Sequence, residues 1–287
     1  MPTDSLRNLN ALLAAVRGHA RVLCRMPNNL ISSIQPHPHL VVLDLFGTLV
    51  EYHHAMRGAL AAAFQAHGER VDLDLAGMAV GYPGVQGIHR ILRWLHPHEQ
   101  PHAESARSIH ELAVKECCRM VAYSSSIQPA NGVVRLCELL SHAGVKVAAT
   151  TTLDAAVVKA LLRRLGWDEH PPFSTLVLAE EVERPTPGPD LILECMRRTG
   201  VWDVHRVAKV ACNVIGLADA KRLGCGWNVL VDCGTLTTDQ IAALAPTAIL
   251  DQVSELAQVW TFPAATDTAL EDEIARILHR SSRDGVS

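Results

Sequence analysis

Aromatic residues and runs of like charge are scarce in this 287-residue chain. Aromatics make up 4% of the residues, and 26 basic residues against 30 acidic ones give a formal net charge of −4. A nucleic-acid surface is typically marked by a basic stripe, often with aromatic side chains between the charges. The sequence therefore predicts no nucleic-acid partner.

Two further absences concern the environment of the protein. No window reaches about 18 consecutive apolar residues, the length that indicates a membrane-spanning helix. The eight cysteines are irregularly spaced, and no two of them form a Cys-x-x-Cys pair. This spacing is typical of buried, reduced thiols in a cytoplasmic protein, and it does not favour a disulfide framework.

The remaining composition is that of a well-packed protein. Hydrophobic residues make up 48% of the chain and charged residues 20%. A chain of this length and composition can form one large domain, or a core domain with a smaller one attached.

Residues 1–38 form a basic, acid-poor extension. Arg7, Arg17, Arg21 and Arg25 are set against a single acid, Asp4, and leucines recur at helical spacing between them. Such a segment is compatible with a mitochondrial transit peptide, with a contact between subunits of a homodimer, or with a helix packed on the domain. We favour the packed helix, because the apolar stripe is narrow and regular.

From residue 40 onward, short apolar runs alternate with helical stretches, which predicts parallel βαβ units and a Rossmann-like α/β core. The predicted strands span 40–43, 145–149, 175–179, 208–211 and 229–231, and the predicted helices span 131–143, 155–165, 189–199 and 215–223.

One interval departs from this alternation. Between about residues 54 and 123 only helical patterns occur, at 55–67, 88–95 and 103–120. We interpret 56–123 as a helical cap domain inserted into a core of residues 39–55 and 124–270, with a C-terminal tail at 271–287. A helical insertion directly after the first strand is typical of a lid over an active site.

The first predicted strand ends in a carboxylate. Asp44 follows an apolar run and precedes Gly47 and Thr48, which predict a tight turn. Open α/β sheets bind ligands at the carboxyl ends of their strands, so Asp44 is the first candidate for chemistry. The alternative is an aspartate that only caps the turn.

The segment from Asp44 to Thr48, followed by a helical insertion, resembles the first motif of the haloacid dehalogenase superfamily. Three further segments are similar to its other motifs and occur in the family's order, at 146–154, 183–187 and 210–227. The phosphonoacetaldehyde hydrolase branch is the most similar, through Val80-Gly81-Tyr82-Pro83, Leu165-Gly166-Trp167, the Arg-Pro-x-Pro at 184–187 and Gly224-Cys225-Gly226-Trp227.

The resemblance implies a role for each matching residue. Asp44 would be the nucleophile, Thr48 would orient its carboxylate, and Arg184 would balance the negative charge of nucleophile and substrate. Thr151 would bind a phosphoryl oxygen, although Thr150 and Thr152 are close enough that the register stays open. Each also has a purely structural interpretation: a turn cap for the threonines and a surface salt bridge for Arg184.

The resemblance also indicates residues that would contact a small-molecule substrate. These candidates are Phe46 and Gly47 in the first motif, His53 just after it, and Asn213 in the fourth motif.

The metal ligands that the resemblance implies are largely missing. Cys212 and Gly216 stand where the family places the acids that hold Mg²⁺. The remaining candidates are the Asp44 carboxylate, the backbone carbonyl of Phe46 and the more distant Asp219. Magnesium needs hard oxygen ligands, so we expect weak or altered Mg²⁺ dependence.

Two other departures concern proton transfer and covalent chemistry. Phe46 stands where the family's phosphatases have an acid that protonates the leaving oxygen, which favours leaving groups that need no proton. Gly84 stands where the phosphonoacetaldehyde hydrolases have a Schiff-base lysine, and the predicted cap contains only Lys115.

Three functions therefore stay open. The first is a hydrolase that uses Asp44 on a small organic phosphate or phosphonate, with altered metal dependence. The second is a metal-independent hydrolase of the dehalogenase type. The third is a catalytically degenerate protein that acts as a binding or regulatory module.

Overall fold

The computed structural model describes residues 37–51, 53–99, 103–234 and 236–260 of the chain. The predicted N-terminal helix, the transit-peptide alternative and the predicted tail at 271–287 lie outside this part, and so do the side chains of residues 53–55. Within the described residues, no helix is both long and apolar enough to cross a membrane.

A six-stranded parallel sheet forms the centre of the molecule, which confirms the predicted α/β fold. Its strand order is β5-β4-β1-β6-β7-β8, so the first strand of the chain lies in the middle. Buried apolar runs of this kind are what a parallel sheet covered on both faces requires. The strands are β1 (Leu40–Asp44), β4 (Lys146–Thr151), β5 (Thr175–Leu178), β6 (Val207–Ala211), β7 (Trp227–Val231) and β8 (Ala248–Leu250).

Alternate residues of β1 face two separate apolar cores. Val41 and Leu43 pack on one face and Leu40 and Val42 on the other. This alternation follows from the two-residue repeat of a strand. The first face is covered by α5 (Val133–His142) and α6 (Ala155–Leu165), and the second by α7 (Asp190–Thr199) and α8 (Val214–Leu223); α9 (Thr238–Leu244) follows β7.

The described part of residues 53–123 contains four helices, and we call this segment the helical insertion. The helices are α1 (His53–Ala66), α2 (Leu73–Gly77), α3 (Gln86–Leu95) and α4 (Ala103–Tyr123). The insertion has an apolar cluster of its own, which contains Phe64, Ile88, Ile91 and Ile109. A small antiparallel pair, β2 (Val50–Glu51) and β3 (Gln128–Pro129), joins the two chain segments at its base.

The elements that the sequence analysis did not predict are short. Helix α2 has five residues and β8 has three. Helix α9 begins with a capping box, in which the hydroxyl of Thr237 accepts from the Gln240 N–H while the Gln240 side chain accepts from the Thr237 N–H. That signal was available in the sequence, because a Thr three residues before a Gln is typical of a helix start.

Candidate active site

Asp44 is the last residue of β1, and its side chain is 17% exposed. The chain turns immediately after it: Leu49 N–H donates to the Asp44 carbonyl (3.2 Å), and Gly47 has a φ of +80°. A φ in the left-handed region favours glycine, because a side chain there is strained. The turn therefore leaves one partly exposed carboxylate at the carboxyl edge of the sheet.

Lys209 of β6 is the cation beside Asp44. Its ammonium donates to Asp44 Oδ1 and to Thr150 Oγ1 (2.8 Å), and the Thr150 hydroxyl in turn donates to the same Asp44 oxygen (3.1 Å). The Lys209 side chain is only 3% exposed. A lysine this deeply buried needs a charge partner, and Asp44 provides it.

The register of the sheet explains why Lys209 reaches Asp44. Lys209 lies opposite Val42 of β1. Val42 precedes Asp44 by two residues, so Val42, Asp44 and Lys209 all point to the same face of the sheet. Two residues of strand rise about 6.6 Å, a distance that a lysine side chain can span. Thr150 lies directly opposite Asp44 on the other neighbouring strand, β4.

Asn213 holds the second oxygen of the carboxylate. Its amide nitrogen donates to Asp44 Oδ2 (3.1 Å), while its amide oxygen accepts from the Gly216 N–H (2.8 Å) and caps helix α8. The same side chain thus starts the helix and fixes Asp44, as a good N-cap residue can. Both oxygens of Asp44 are engaged by donors from the core.

The cation that contacts Asp44 is Lys209 and not the expected Arg184. The side chain of Arg184 is 71% exposed and forms an ion pair with Asp190 (3.1 Å). Asp190 is the first residue of α7 and also accepts from the Arg184 backbone N–H (2.9 Å). This is the surface salt bridge that the sequence analysis considered as the alternative for Arg184.

The threonines also differ from the expectation. Thr150, not Thr151, donates to Asp44, while the Thr151 hydroxyl accepts from the Leu153 N–H (3.2 Å). The pleat of β4 explains why Thr150 and not Thr151 reaches Asp44, since successive side chains of a strand point to opposite faces. The expected bond from Thr48 to Asp44 does not form, and the buried Thr48 hydroxyl has no hydrogen-bond partner among the described residues.

The other predicted contact residues have varied positions. Phe46, Thr151, Thr152 and Asn213 line the same cavity as Asp44. Gly47 forms the turn beside it. His53 begins helix α1, but its side chain lies outside the described part.

Asp219 is a poor metal ligand as it stands. Its Oδ2 accepts from the Thr186 hydroxyl, and its Oδ1 pairs with Arg222 (3.1 Å). Burial raises the pKa of this carboxyl, although Thr186 and Arg222 oppose the shift. Both of its oxygens are therefore committed to partners other than a metal.

Cys212 and Gly216, where the resemblance implies acids, supply no side-chain oxygen. A hydrogen bond with Cys233, together with burial, raises the pKa of the Cys212 thiol well above its usual value, so the thiolate that would bind a metal is disfavoured. Position 216 lies directly beside Asp44, since a Cβ there would be 3.1 Å from Asp44 Oδ2, but glycine has no side chain that could bind a metal. In the described residues, no three His, Cys, Asp or Glu side chains are grouped to hold a metal ion.

A cavity of about 140 Å³ lies between the carboxyl edge of the sheet and the helical insertion. Asp44, Lys209 and Asp219 line it from the core, and Gly84 lines it from the insertion. Lys115 is exposed and is not among the lining residues. No described lysine of the insertion therefore faces the place where a Schiff base would form.

One polar contact ties the insertion to the core beside this cavity. His110 of α4 and Asp154 form a hydrogen bond between Nε2 and Oδ1 (2.9 Å), and both residues line the cavity. Asp154 is the N-cap residue of α6. Its hydrogen bond with His110 raises the pKa of the imidazole, while burial opposes the rise.

This contact predicts a pH-dependent stability. A raised pKa in the folded state means that the protonated pair contributes stability below about pH 6.5, and that this contribution is lost as the pH rises through the folded pKa. We expect the stability difference between wild type and His110→Gln to be larger at pH 6 than at pH 9, as measured by urea unfolding. A difference that grows with pH would contradict the assignment.

The chain is similar to known proteins in both sequence and structure. A family model for haloacid dehalogenase-like hydrolases matches residues 38–211. Over 218 residues the chain is 30% identical to the "Probable phosphatase IndB" of Dickeya dadantii (strain 3937), an alignment that spans 76% of this chain and 91% of that protein.

Solved structures of other proteins are similar in fold. CbbY from Rhodobacter sphaeroides in complex with phosphate has a TM-score of 0.62 and 23% identity, over 76% of this chain and 96% of that one. A phosphonoacetaldehyde hydrolase like protein from Oleispira antarctica has a TM-score of 0.65 and 20% identity, over 89% and 99%. At these identities the similarity concerns the fold alone.

Proposed function

The chain belongs to the haloacid dehalogenase-like hydrolases, and from that premise we propose that Asp44 is the nucleophile of a hydrolase whose counterion is Lys209. The substrate class that we propose is a small organic phosphate or phosphonate. The observation that carries this proposal is the buried contact between the Lys209 ammonium and Asp44 Oδ1.

The charge of the pair explains how an anion can approach an aspartate. Asp44 and Lys209 together are neutral, so a phosphoryl group does not enter a site of uncompensated negative charge. The ammonium and the amide of Asn213 also hold the carboxylate in one orientation. A nucleophile fixed in this way loses little entropy when it attacks.

The reaction that we propose has two steps. A carboxylate oxygen of Asp44 attacks phosphorus and the organic group leaves with the bonding electron pair; water then attacks the acyl phosphate and releases phosphate. Phe46 cannot donate a proton to the leaving group. The mechanism therefore favours leaving groups that are stable as anions, such as aryl oxides or an enolate carbon.

Metal independence is part of this proposal. Members of the family generally use Mg²⁺, and family membership is consistent with such a requirement. In this chain, however, Asp44 and Asp219 have their oxygens engaged by protein donors, and Cys212 and Gly216 supply no oxygen ligand. We infer that Lys209 supplies the positive charge that a metal supplies elsewhere.

The helical insertion and the family branch enter the same proposal. The insertion closes the cavity over Asp44, and we propose that it acts as a cap that excludes water during the reaction. We propose the phosphonoacetaldehyde hydrolase branch on the sequence motifs at 80–83, 165–167, 184–187 and 224–227. Gly84 at the cavity wall argues against a Schiff-base route within that branch.

A dehalogenase-type hydrolase is the second candidate. It is favoured by Phe46, because a halide needs no proton on leaving, and by the neutral Asp44–Lys209 pair, because an alkyl halide brings no dianion to be balanced. In that reaction Asp44 would displace the halide from carbon, and water would hydrolyse the resulting ester.

A turnover panel tests the proposed function. The wild-type protein is assayed with an aryl phosphate, phosphonoacetaldehyde and a 2-haloacid, each with Mg²⁺ and with EDTA. We expect turnover of a phosphoryl substrate, with kcat/KM that differs by less than about threefold between the two conditions. Activity that EDTA abolishes and Mg²⁺ restores would contradict metal independence. Turnover of the haloacid alone would favour the second candidate, and silence throughout would favour a degenerate binding protein.

A further inference from the structure

The cavity wall that the helical insertion supplies is mostly apolar, although Tyr82 and His110 also line it. The helical insertion contributes to it the side chains of Met56, Leu60, Val80, Ile88 and Val114. These residues come from three helices and one turn, and they lie opposite the charged groups of the core. The organic part of a ligand bound at Asp44 would therefore rest against hydrocarbon.

Two arginines of the insertion have partners of their own. The guanidinium of Arg90 lies over the Tyr82 ring, 4.8 Å from its centre, and Arg57 pairs with Asp74 (3.8 Å). Among the described residues that line the cavity, the insertion supplies no lysine or arginine. A second anionic group on the ligand would find no ammonium or guanidinium on that wall.

The carboxylates of the cavity already have partners. Asp154 is bonded to His110, Asp219 to Arg222, and Asp44 to Lys209. A second negative group on the ligand would thus meet carboxylates whose counterions are committed. Burying a charge without a partner is costly, so such a ligand is disfavoured.

The volume limits the size of the organic group. A cavity of about 150 Å³ lined by apolar side chains is known to hold benzene, and this cavity has about 140 Å³. The anionic head at Asp44 occupies part of this space, so the volume suits a small organic group.

From these observations we propose that the site selects substrates with one anionic head and a small apolar organic group, and that it rejects substrates with a second anionic group. This inference rests on the proposed function for the position of the head at Asp44. It names the substrate class of that site.

Matched ligand pairs test the inference by calorimetry with the full-length wild-type protein. 3-Methylbutylphosphonate and 2-carboxyethylphosphonate have the same shape, but only the second carries a carboxylate at the far end. We expect the apolar ligand to bind at least about tenfold more tightly, since burying a hydrocarbon end is favourable and burying a charge is not. Equal or tighter binding of the carboxyethyl ligand would overturn the inference.

A second pair separates this inference from the proposed function. 4-Methylpentanoate and succinate repeat the same comparison with a carboxylate head. If neither phosphonate binds but 4-methylpentanoate binds more tightly than succinate, the proposal of a phosphoryl substrate is wrong, while the inferred preference for an apolar organic group is supported. If none of the four ligands binds, or succinate binds as tightly as its partner, the inference is overturned.

A variant of the cavity wall gives a sharper control. Val80 is half-buried in a turn of the insertion, and Val80→Arg places a cation at the wall. We expect this change to lower the preference for the apolar phosphonate at least about tenfold, because the added charge pairs with the carboxylate. Val80→Met, of similar length without the charge, is expected to keep the wild-type preference. Equal preferences in the two variants would contradict the assignment of this wall.

Discussion

Replacing Asp44 with asparagine is expected to lower kcat by at least about 10³-fold, because the amide cannot form the covalent intermediate. The change keeps the shape of the side chain but removes its charge. The measurement is kcat on whichever substrate of the panel the wild type turns over. An Asp44→Asn protein that keeps a tenth of wild-type kcat would show that Asp44 is not the nucleophile.

The folding of this variant needs its own measurement. Asp44→Asn leaves the buried ammonium of Lys209 without its charge partner, which is expected to cost about 3 kcal/mol of stability. Asp232→Asn is the matched control, because Asp232 follows β7 at the same edge of the sheet but does not line the cavity. We expect this control to keep wild-type activity, so that a general effect of losing a carboxylate can be separated from loss of the nucleophile.

Replacing Lys209 with methionine is expected to be the second most damaging change. Methionine has a similar length and no charge, so the carboxylate of Asp44 keeps only its bonds from Thr150 and Asn213. We expect kcat/KM to fall about 10²- to 10³-fold, since the anionic substrate then meets an uncompensated carboxylate. Breaking a buried ion pair from one side is also expected to cost about 3 kcal/mol in the free energy of unfolding.

Arg184→Met is the matched control for this prediction. Its guanidinium is exposed and its ion pair with Asp190 lies on the surface, so we expect kcat/KM to change by less than about threefold. The comparison decides which cation serves Asp44. If Arg184→Met abolishes activity while Lys209→Met keeps most of it, the assignment of Lys209 is wrong.

Much of the fold could be predicted from the sequence, because its signals are local. The apolar run before Asp44 and the similar runs at β4, β6 and β7 alternate with amphipathic helices, and this pattern determines a parallel sheet covered on both faces. Helix α6 was predicted with the bounds that the structure has, Ala155–Leu165. Shorter elements such as α2 and β8 contain too few residues to show a period.

Part of the candidate site could also be predicted. A carboxylate that ends a buried strand lies at the ligand-binding edge of the sheet whatever the rest of the chain does, and this identified Asp44. One further signal was present and not used. Lys209 is a charged residue within the apolar run Val207-Ala208-Lys209-Val210-Ala211, and a lysine in a buried parallel strand needs a partner.

Only the tertiary structure decided which partner that is. The sequence by itself determined the strand that ends in Asp44 and the glycine turn after it. It could not determine that Lys209 lies opposite Val42 or that Thr150 lies opposite Asp44, because the register between strands far apart in the chain is set by the packing of the whole sheet. For the same reason Arg184, which matches the family motif, proved to lie on the surface, and the counterion comes from β6.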